Sequence, residues 1–340
     1  MLEVKAPANI KLFGEHAVVY GRLAVATAVD LFARAKSKAS GSSALRLVLN
    51  DFKASYDFSE EQLTYIYSRY KNKRNINDYI HGNASIPQLM LPFGTIAARL
   101  MKEHGMDVLG KEVSIDSEIP IQAGLGSSSA FSTSFTTLLV KESGNGMERD
   151  EIVDVARDGD RILHRNDGAG MIDVNASFYG GYVSYKKDKG VSVEDVKGSM
   201  NIMIVNTGPK RSTAETVGSV TELHSKRKAY TEKIFDEIEG CSMRGLEALK
   251  SMDLNVLGRC MFKDQEMLVK LGVSSPGLDR LVEMAKKEKA LGAKLSGGGG
   301  GGIGFVLLDK KNQRLADMLK AEGFTVYNSK TGAEGAVEYF

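Results

Sequence analysis

The residues most able to do chemistry lie in PIQAGLGSSSA at 120–130, where an apolar strand pattern runs through two glycines into hydroxyl residues at a helix start. Backbone N–H groups at a helix start have no helical partner, and glycine lets a ligand approach them closely, so Gly124, Leu125, Gly126, Ser127, Ser128 and Ser129 can cradle phosphate oxygens. The spacing fits neither the G-x-x-x-x-G-K-[ST] of a P-loop nor the G-x-G-x-x-G of a dinucleotide site, which implies another phosphate-binding arrangement. A loop that merely caps a helix is the plainer alternative. A second signal is AKLSGGGGGGIGFVLL at 293–308, six consecutive glycines between apolar strand patterns. Each glycine costs roughly 0.5–1 kcal/mol relative to alanine in regular structure. Linkers are flanked by polar residues and this run is not, so it points to close approach of backbone by a ligand or another segment. A third is NIKLFGEHAVVYG at 9–21, which ends a strand in Glu15 and His16, a carboxylate and an imidazole able to hold the hydroxyls of a small polar ligand. An exposed Glu-His turn is the commoner outcome of such a pattern.

Strands and helices must position these groups. Alternating patterns over residues 1–38 read as short strands, LEVKA, NIKLF and a return through Val25 to Ala35, and LRLVLN at 45–50 continues them. Residues 51–85 are polar and tyrosine-rich, carry Lys71, Lys73 and Arg74, and are set apart as an insertion or lid. A helix closes at Gly105, KEVSIDSEIP is a strand leading to the first glycine turn, and helices follow it from Ser127 and from Met147 to Leu163. FYGGYVSYK returns as a strand. From NIMIVN at 201 the pattern changes to amphipathic helices over Thr213–Ser251, Leu254–Leu271 and Pro276–Glu288, then the strands AKLSG and IGFVLL and a closing helix and strand. The expected class is α+β in two lobes, 1–190 and 191–340, with a cleft between them.

Composition narrows the function. Of 340 residues 42% are apolar and 26% charged, and 45 basic against 43 acidic residues leave a net charge of +2, with no basic field to hold nucleic acid. Cys241 and Cys260 form neither a C-x-x-C motif nor a disulfide framework, which fits a reducing cytoplasm. No signal-peptide core or run of about 18 apolar residues is present, so neither export nor a membrane partner is expected.

In this order and at these separations the three motifs resemble the GHMP kinase superfamily, with FGEHAVVYG and GLGSSSA similar to its mevalonate-phosphorylating branch, of archaeal type. The likeness extends through GGYVSY, NTGPKRSTAET and LGVSSPGLDRLVEMA, leaving out 51–85. It implies an N-terminal lobe like domain 2 of ribosomal protein S5 and a ferredoxin-like C-terminal lobe. It also implies ATP with Mg²⁺, a small-molecule acceptor and, for the reaction, phosphorylation of the 5-hydroxyl of mevalonate in isoprenoid synthesis. Mevalonate 3-phosphate as acceptor and an inactive GHMP-fold binding protein are the alternatives, and a homodimer is left open. By the resemblance, Gly124–Ser129 and Gly297, Gly298, Gly299 and Gly300 hold the nucleotide, Ser128 and Asp160 the metal, with Ser127 as a second hydroxyl and Asp167 as a rival carboxylate. Asp173 in GMIDVNASFYGG matches the family's catalytic aspartate. By the same resemblance Glu15, His16 and Thr213 would line the acceptor pocket. The family's first-strand lysine, which pairs with that aspartate, is Asn9 here. Lys11, two residues on and on the same strand face, is the expected substitute. Lys210 and Arg211, with Lys71, Lys73 and Arg74, can bind an extra acceptor phosphate or simply face solvent, and His164 reads as a packed helix residue.

Overall fold

The computed structural model describes residues 2–120, 124–144, 146–208 and 213–339. The chain opens with β1 (Leu2–Phe13), β2 (Ala24–Ala39), β3 (Leu45–Leu49) and β4 (Ala54–Phe58), followed by α1 (Glu60–Lys71), α2 (Ile76–Gly82) and α3 (Leu91–Glu103). β5 (Lys111–Ser117) precedes α4 (Ser127–Ser143), α5 (Arg149–Leu163) and α6 (Asp173–Tyr179), and β6 (Tyr182–Lys186) and β7 (Gly190–Glu194) form a hairpin. These strands make one seven-stranded sheet in the order β4-β3-β5-β2-β6-β7 with β1 on β2, antiparallel except for the β3–β5 pair. LEVKA and NIKLF are a single strand whose register shifts at Pro7/Ala8. Proline cannot donate to a ladder, so the irregularity falls there rather than at a turn.

The second part begins with β8 (Asn201–Asn206) and continues through α7 (Thr213–Lys226), α8 (Lys228–Lys250), α9 (Leu254–Lys270) and α10 (Pro276–Lys287). β9 (Gly292–Leu295), β10 (Ile303–Leu308), α11 (Gln313–Ala321) and β11 (Thr325–Lys330) complete it. Its antiparallel sheet has the order β11-β8-β10-β9, fourth-first-third-second, as expected of a ferredoxin-like unit. Among the described residues four helices stand where that motif has one. The helix expected over Thr213–Ser251 breaks at Arg227, which leaves helical angles (φ −139°, ψ 50°).

Residues 51–85 pack as part of the first layer. α1 buries Leu63, Ile66 and Tyr70 and α2 buries Ile76, Tyr79 and Ile80, in the same apolar core as Leu47, Phe93 and Ile96. Each such side chain contributes about 1.5–3 kcal/mol by leaving water. α4 runs through the middle of that core, buried at every residue from Ser129 to Val140. Its start is thereby fixed beside β1. The last residues return to the first sheet: Thr331 bridges Val29, Glu334 bridges Gly180, and the Tyr339 hydroxyl accepts from Lys5 N at 3.1 Å. Among the described residues no helix is long and apolar enough to cross a membrane.

Candidate active site

β1 is the spine of the site. Three of its neighbours are chain segments distant in sequence: the start of α4, the start of α6 and the glycine run after β9. Gly126 is the N-cap of α4 in the left-handed region (φ +64°) and offers no capping side chain, so the first N–H groups of that helix stay available. Asn9, 1% exposed, fastens this turn to the strand. Its N–H donates to Leu125 O at 3.0 Å, and its Nδ2 donates to Asp173 O at 3.2 Å and Ser177 Oγ at 3.4 Å. Its Oδ1 is buried with no hydrogen-bond partner among the described residues.

Two residues along the same face, Lys11 Nζ donates to Asp173 Oδ1 at 2.6 Å, the pair about a quarter exposed. Burial works to lower the Lys11 pKa, but the Asp173 charge and hydrogen bond, with Glu15 and Asp160 further off, outweigh it and raise it above the ordinary lysine value. Lys11 is therefore a permanent cation at neutral pH.

Asp160, near the end of α5, receives the Ser129 hydroxyl on Oδ2, while its Oδ1 is buried without a hydrogen-bond partner among the described residues. Burial pushes its pKa up; His164 opposes this, the Asp173 charge adds to it, and the Ser128 and Ser129 hydroxyls pull it back. An orphaned carboxylate oxygen beside two hydroxyls is a donor set that a hard divalent cation accepts, and a cation there would reverse the desolvation effect. Asp167 is occupied elsewhere, accepting from Ile76 N at 3.4 Å at the start of α2. His164, expected to be packed, is half exposed, with Nε2 3.4 Å from Ser128 Oγ and 3.9 Å from Asp160 Oδ1.

The glycine run closes the site from the second sheet. Gly297, Gly299, Gly300, Gly301 and Gly302 all have positive φ, and a Cβ on Gly299 would lie 2.1 Å from Val273 O, so side chains are excluded by conformation and space together. A Cβ on Gly297 would lie 3.9 Å from Gly124 O. The two glycine stretches are therefore neighbours, 173 positions apart in the chain (297 minus 124). Ser296 Oγ accepts from Lys11 N at 2.9 Å, and His16 Nε2 meets Gly298 O at 3.0 Å. His16 itself has φ +60° and is buried, which lowers its pKa; Gly298 O opposes the shift and Lys11 reinforces it.

Glu15 turns inward, 2% exposed, to Lys294. Thr213 begins α7; Lys210 and Arg211 lie outside the described residues. Lys73 sits 3.2 Å from the centre of the Tyr70 ring, folded over the end of α1, and Lys71 is 3.9 Å from Glu103 of α3. Asn9 as a bracket, Ser296, His164, Lys294 and Asp264 are the neighbours that sequence reasoning missed.

A bare helix start facing a lysine–aspartate pair across a glycine turn, on this two-sheet fold, is the site of a small-molecule phosphotransferase. Residues 92–181 match the family model for the GHMP kinases N terminal domain and residues 246–324 the model for GHMP kinases C terminal. The mevalonate kinase of Thermococcus sibiricus is 30% identical over 339 residues, covering 97% of this chain and 96% of that protein. A crystal structure of mevalonate kinase superposes with a TM-score of 0.81 at 25% identity, covering 98% of this chain and 100% of the other. The Methanococcus jannaschii mevalonate kinase structure does so with 0.80 at 26% identity, covering 97% and 98%. The chain belongs to the GHMP kinase family, whose members are ATP-dependent kinases.

Proposed function

We propose that the protein transfers the terminal phosphoryl group of ATP to the 5-hydroxyl of mevalonate, its two lobes dividing near residue 190. The observation that carries this is the 2.6 Å Lys11–Asp173 pair set between two glycine stretches that lie against each other. The named activity of relatives matched over nearly the whole chain favours mevalonate over its 3-phosphate.

Phosphoryl transfer needs two oxygens held in line and charge neutralised on the moving group, with little covalent assistance. In this reading the N–H groups at the start of α4, with the Gly297–Gly300 turn, hold the triphosphate. Lys11 stays protonated and supplies positive charge where the group is transferred. Asp173, anchored by Lys11 through its carboxylate and by Asn9 through its backbone, receives the acceptor hydroxyl's hydrogen bond and orients it. His16, kept neutral by burial, lies on the acceptor side in this reading, to which Thr213, Lys210 and Arg211 are assigned by sequence alone. Asp160 with Ser128 would hold Mg²⁺, which when bound neutralises phosphate charge; among the described residues no group of three or more His, Cys, Asp or Glu is gathered, and a Mg²⁺ that keeps waters and phosphate oxygens does not need one.

Mass analysis after incubation with Mg-ATP and either mevalonate or mevalonate 3-phosphate tests the reading. Addition of one phosphoryl group to mevalonate, lost about 10²-fold or more in Asp173→Asn with ATP-analogue binding kept, is expected. ATP binding without product from mevalonate overturns it.

A further inference from the structure

Lys294, the third residue of β9, has a fully buried side chain, as do Asp264 and Glu15. Its Nζ donates to Glu15 Oε1 and to Leu295 O at 2.8 Å, and Asp264 Oδ2 lies 3.3 Å away. Taking an ammonium and two carboxyls out of water costs several kcal/mol per ion, and apolar residues of the same volume would often serve the fold as well. Stability alone is a poor reason for such a cluster. Its location supplies a better one.

Glu15 follows directly on the strand that carries Lys11, and Lys294 stands at the root of the glycine run. From there the chain alternates. Lys294 reaches Glu15, Ser296 Oγ accepts from Lys11 N at 2.9 Å, and Gly298 O meets His16 at 3.0 Å. Contacts from three alternate residues, 294, 296 and 298, thus join this segment to the segment 11–16, and the Lys294–Glu15 contact is the one between opposite charges sealed from solvent. Such a charge-assisted bond is about twice as strong as a neutral one and fixes its partners more tightly. Asp264 approaches from α9, and neither of its oxygens has a hydrogen-bond partner among the described residues. Burial, only partly offset by Lys294, pushes its pKa up to about 7. It carries less of the joint than Glu15 does.

We propose that Lys294, acting through Glu15, is a positioning residue that sets the nucleotide-side glycine run against the Lys11–Asp173 pair on the acceptor side. The inference rests on the kinase reading above. It makes Glu15 part of the frame rather than a group that touches the acceptor.

Lys294→Met, Glu15→Gln, the double variant and Asp264→Asn test it, with kcat and both KM values, melting temperature and fluorescent ATP-analogue binding measured beside wild type. A misplacement of about 1 Å costs up to 10²-fold in rate. Lys294→Met and Glu15→Gln should therefore each lower kcat by about 30-fold or more with both KM values within about threefold, the mark of lost alignment. Because the two residues act as one joint, the double variant should be no worse than either single variant within about threefold. Asp264→Asn should stay within about threefold of wild type. Should Lys294→Met not fold, Glu15→Gln and the double variant, which leaves Asp264 as the one carboxyl of the cluster and able to hold its proton, carry the comparison. Losses that multiply in the double variant, folded variants with wild-type kcat, or a loss explained by the unfolded fraction alone each overturn the proposal. Wild type without turnover on mevalonate overturns the kinase reading itself, whereas active wild type beside an unaffected Lys294→Met overturns only the positioning role.

Discussion

The two ends of α4 provide a matched pair of glycines. Gly126 begins the helix with φ +64° and Gly144 ends it with φ +66°. Alanine in the left-handed region costs about 1–2 kcal/mol at either position. Their surroundings differ. A Cβ on Gly144 meets no described residue within 4 Å, whereas one on Gly126 would lie 2.2 Å from Asn9 Nδ2 and 2.8 Å from its Oδ1, against an ordinary contact of at least 3.4 Å. Either the turn or Asn9 must move by about 1 Å. Asn9 cannot swing away without giving up its bonds to Asp173 O and Ser177 Oγ, each worth about 0.5–1.5 kcal/mol, and overpacking of this kind costs about 1–3 kcal/mol. Gly144→Ala should thus lose about 1 kcal/mol and about 2 °C of melting temperature, and Gly126→Ala about 3–5 kcal/mol and about 6–10 °C. Nucleotide affinity separates them further. Re-aimed N–H groups should weaken a fluorescent ATP analogue about tenfold in Gly126→Ala and leave Gly144→Ala unchanged. Adding Asn9→Ala to Gly126→Ala should recover at least about 1 kcal/mol, because the obstruction is gone. Equal melting temperatures and equal affinities for the two alanine variants would refute the bracket formed by Asn9.

Three further outcomes are expected. Asp160→Ala should raise the Mg²⁺ concentration for half-maximal rate by about tenfold or more, while Asp167→Ala loses under about 1 kcal/mol of stability and keeps its Mg²⁺ response; a titration of rate against Mg²⁺ decides it. Arg99→Met strips Asp158, which is 1% exposed and 2.9 Å from Arg99 Nη1, of one of its two cations, the other being Arg161; denaturant titration should show a loss of about 3 kcal/mol. Asp264 holds its proton up to about pH 7 when folded but releases it near 3.8 when unfolded, so the folded state loses stability as pH rises through that window. Asparagine does not titrate, and the stability of Asp264→Asn relative to wild type should rise by on the order of 2–3 kcal/mol between pH 5 and pH 8; no change in the difference would contradict this.

What could be read from the sequence was whatever repeats locally. Strand alternation, Gly105, and the glycine turns gave the order of elements, and the Asn9–Lys11 spacing of two placed Lys11 on the face where it meets Asp173. The break at Arg227 was hidden because apolar periodicity continues on both sides with no glycine or proline to mark it. In 51–85, Leu63, Ile66 and Tyr70 have helical spacing, and Ser59 with Gln62 forms a capping box, but tyrosines that read as polar face the core. The capping pair was the available signal. Lys294 is a charge within an apolar strand pattern, which was the available signal, yet its partner Glu15 is 279 positions away, and no local pattern reports a contact of that span.

The return of residues 331–339 to the first sheet bears on how the molecule comes into being. Lys5 and Tyr339, 334 positions apart, must find each other, and Val29, already paired with Ala8, gains its second partner only when Thr331 arrives. Loop-closure entropy is greatest for such pairs. The half of the protein that leaves the ribosome first is therefore completed only by its last residues, and the gap on β2 between its β6 and β5 pairings stays unfilled until they are made.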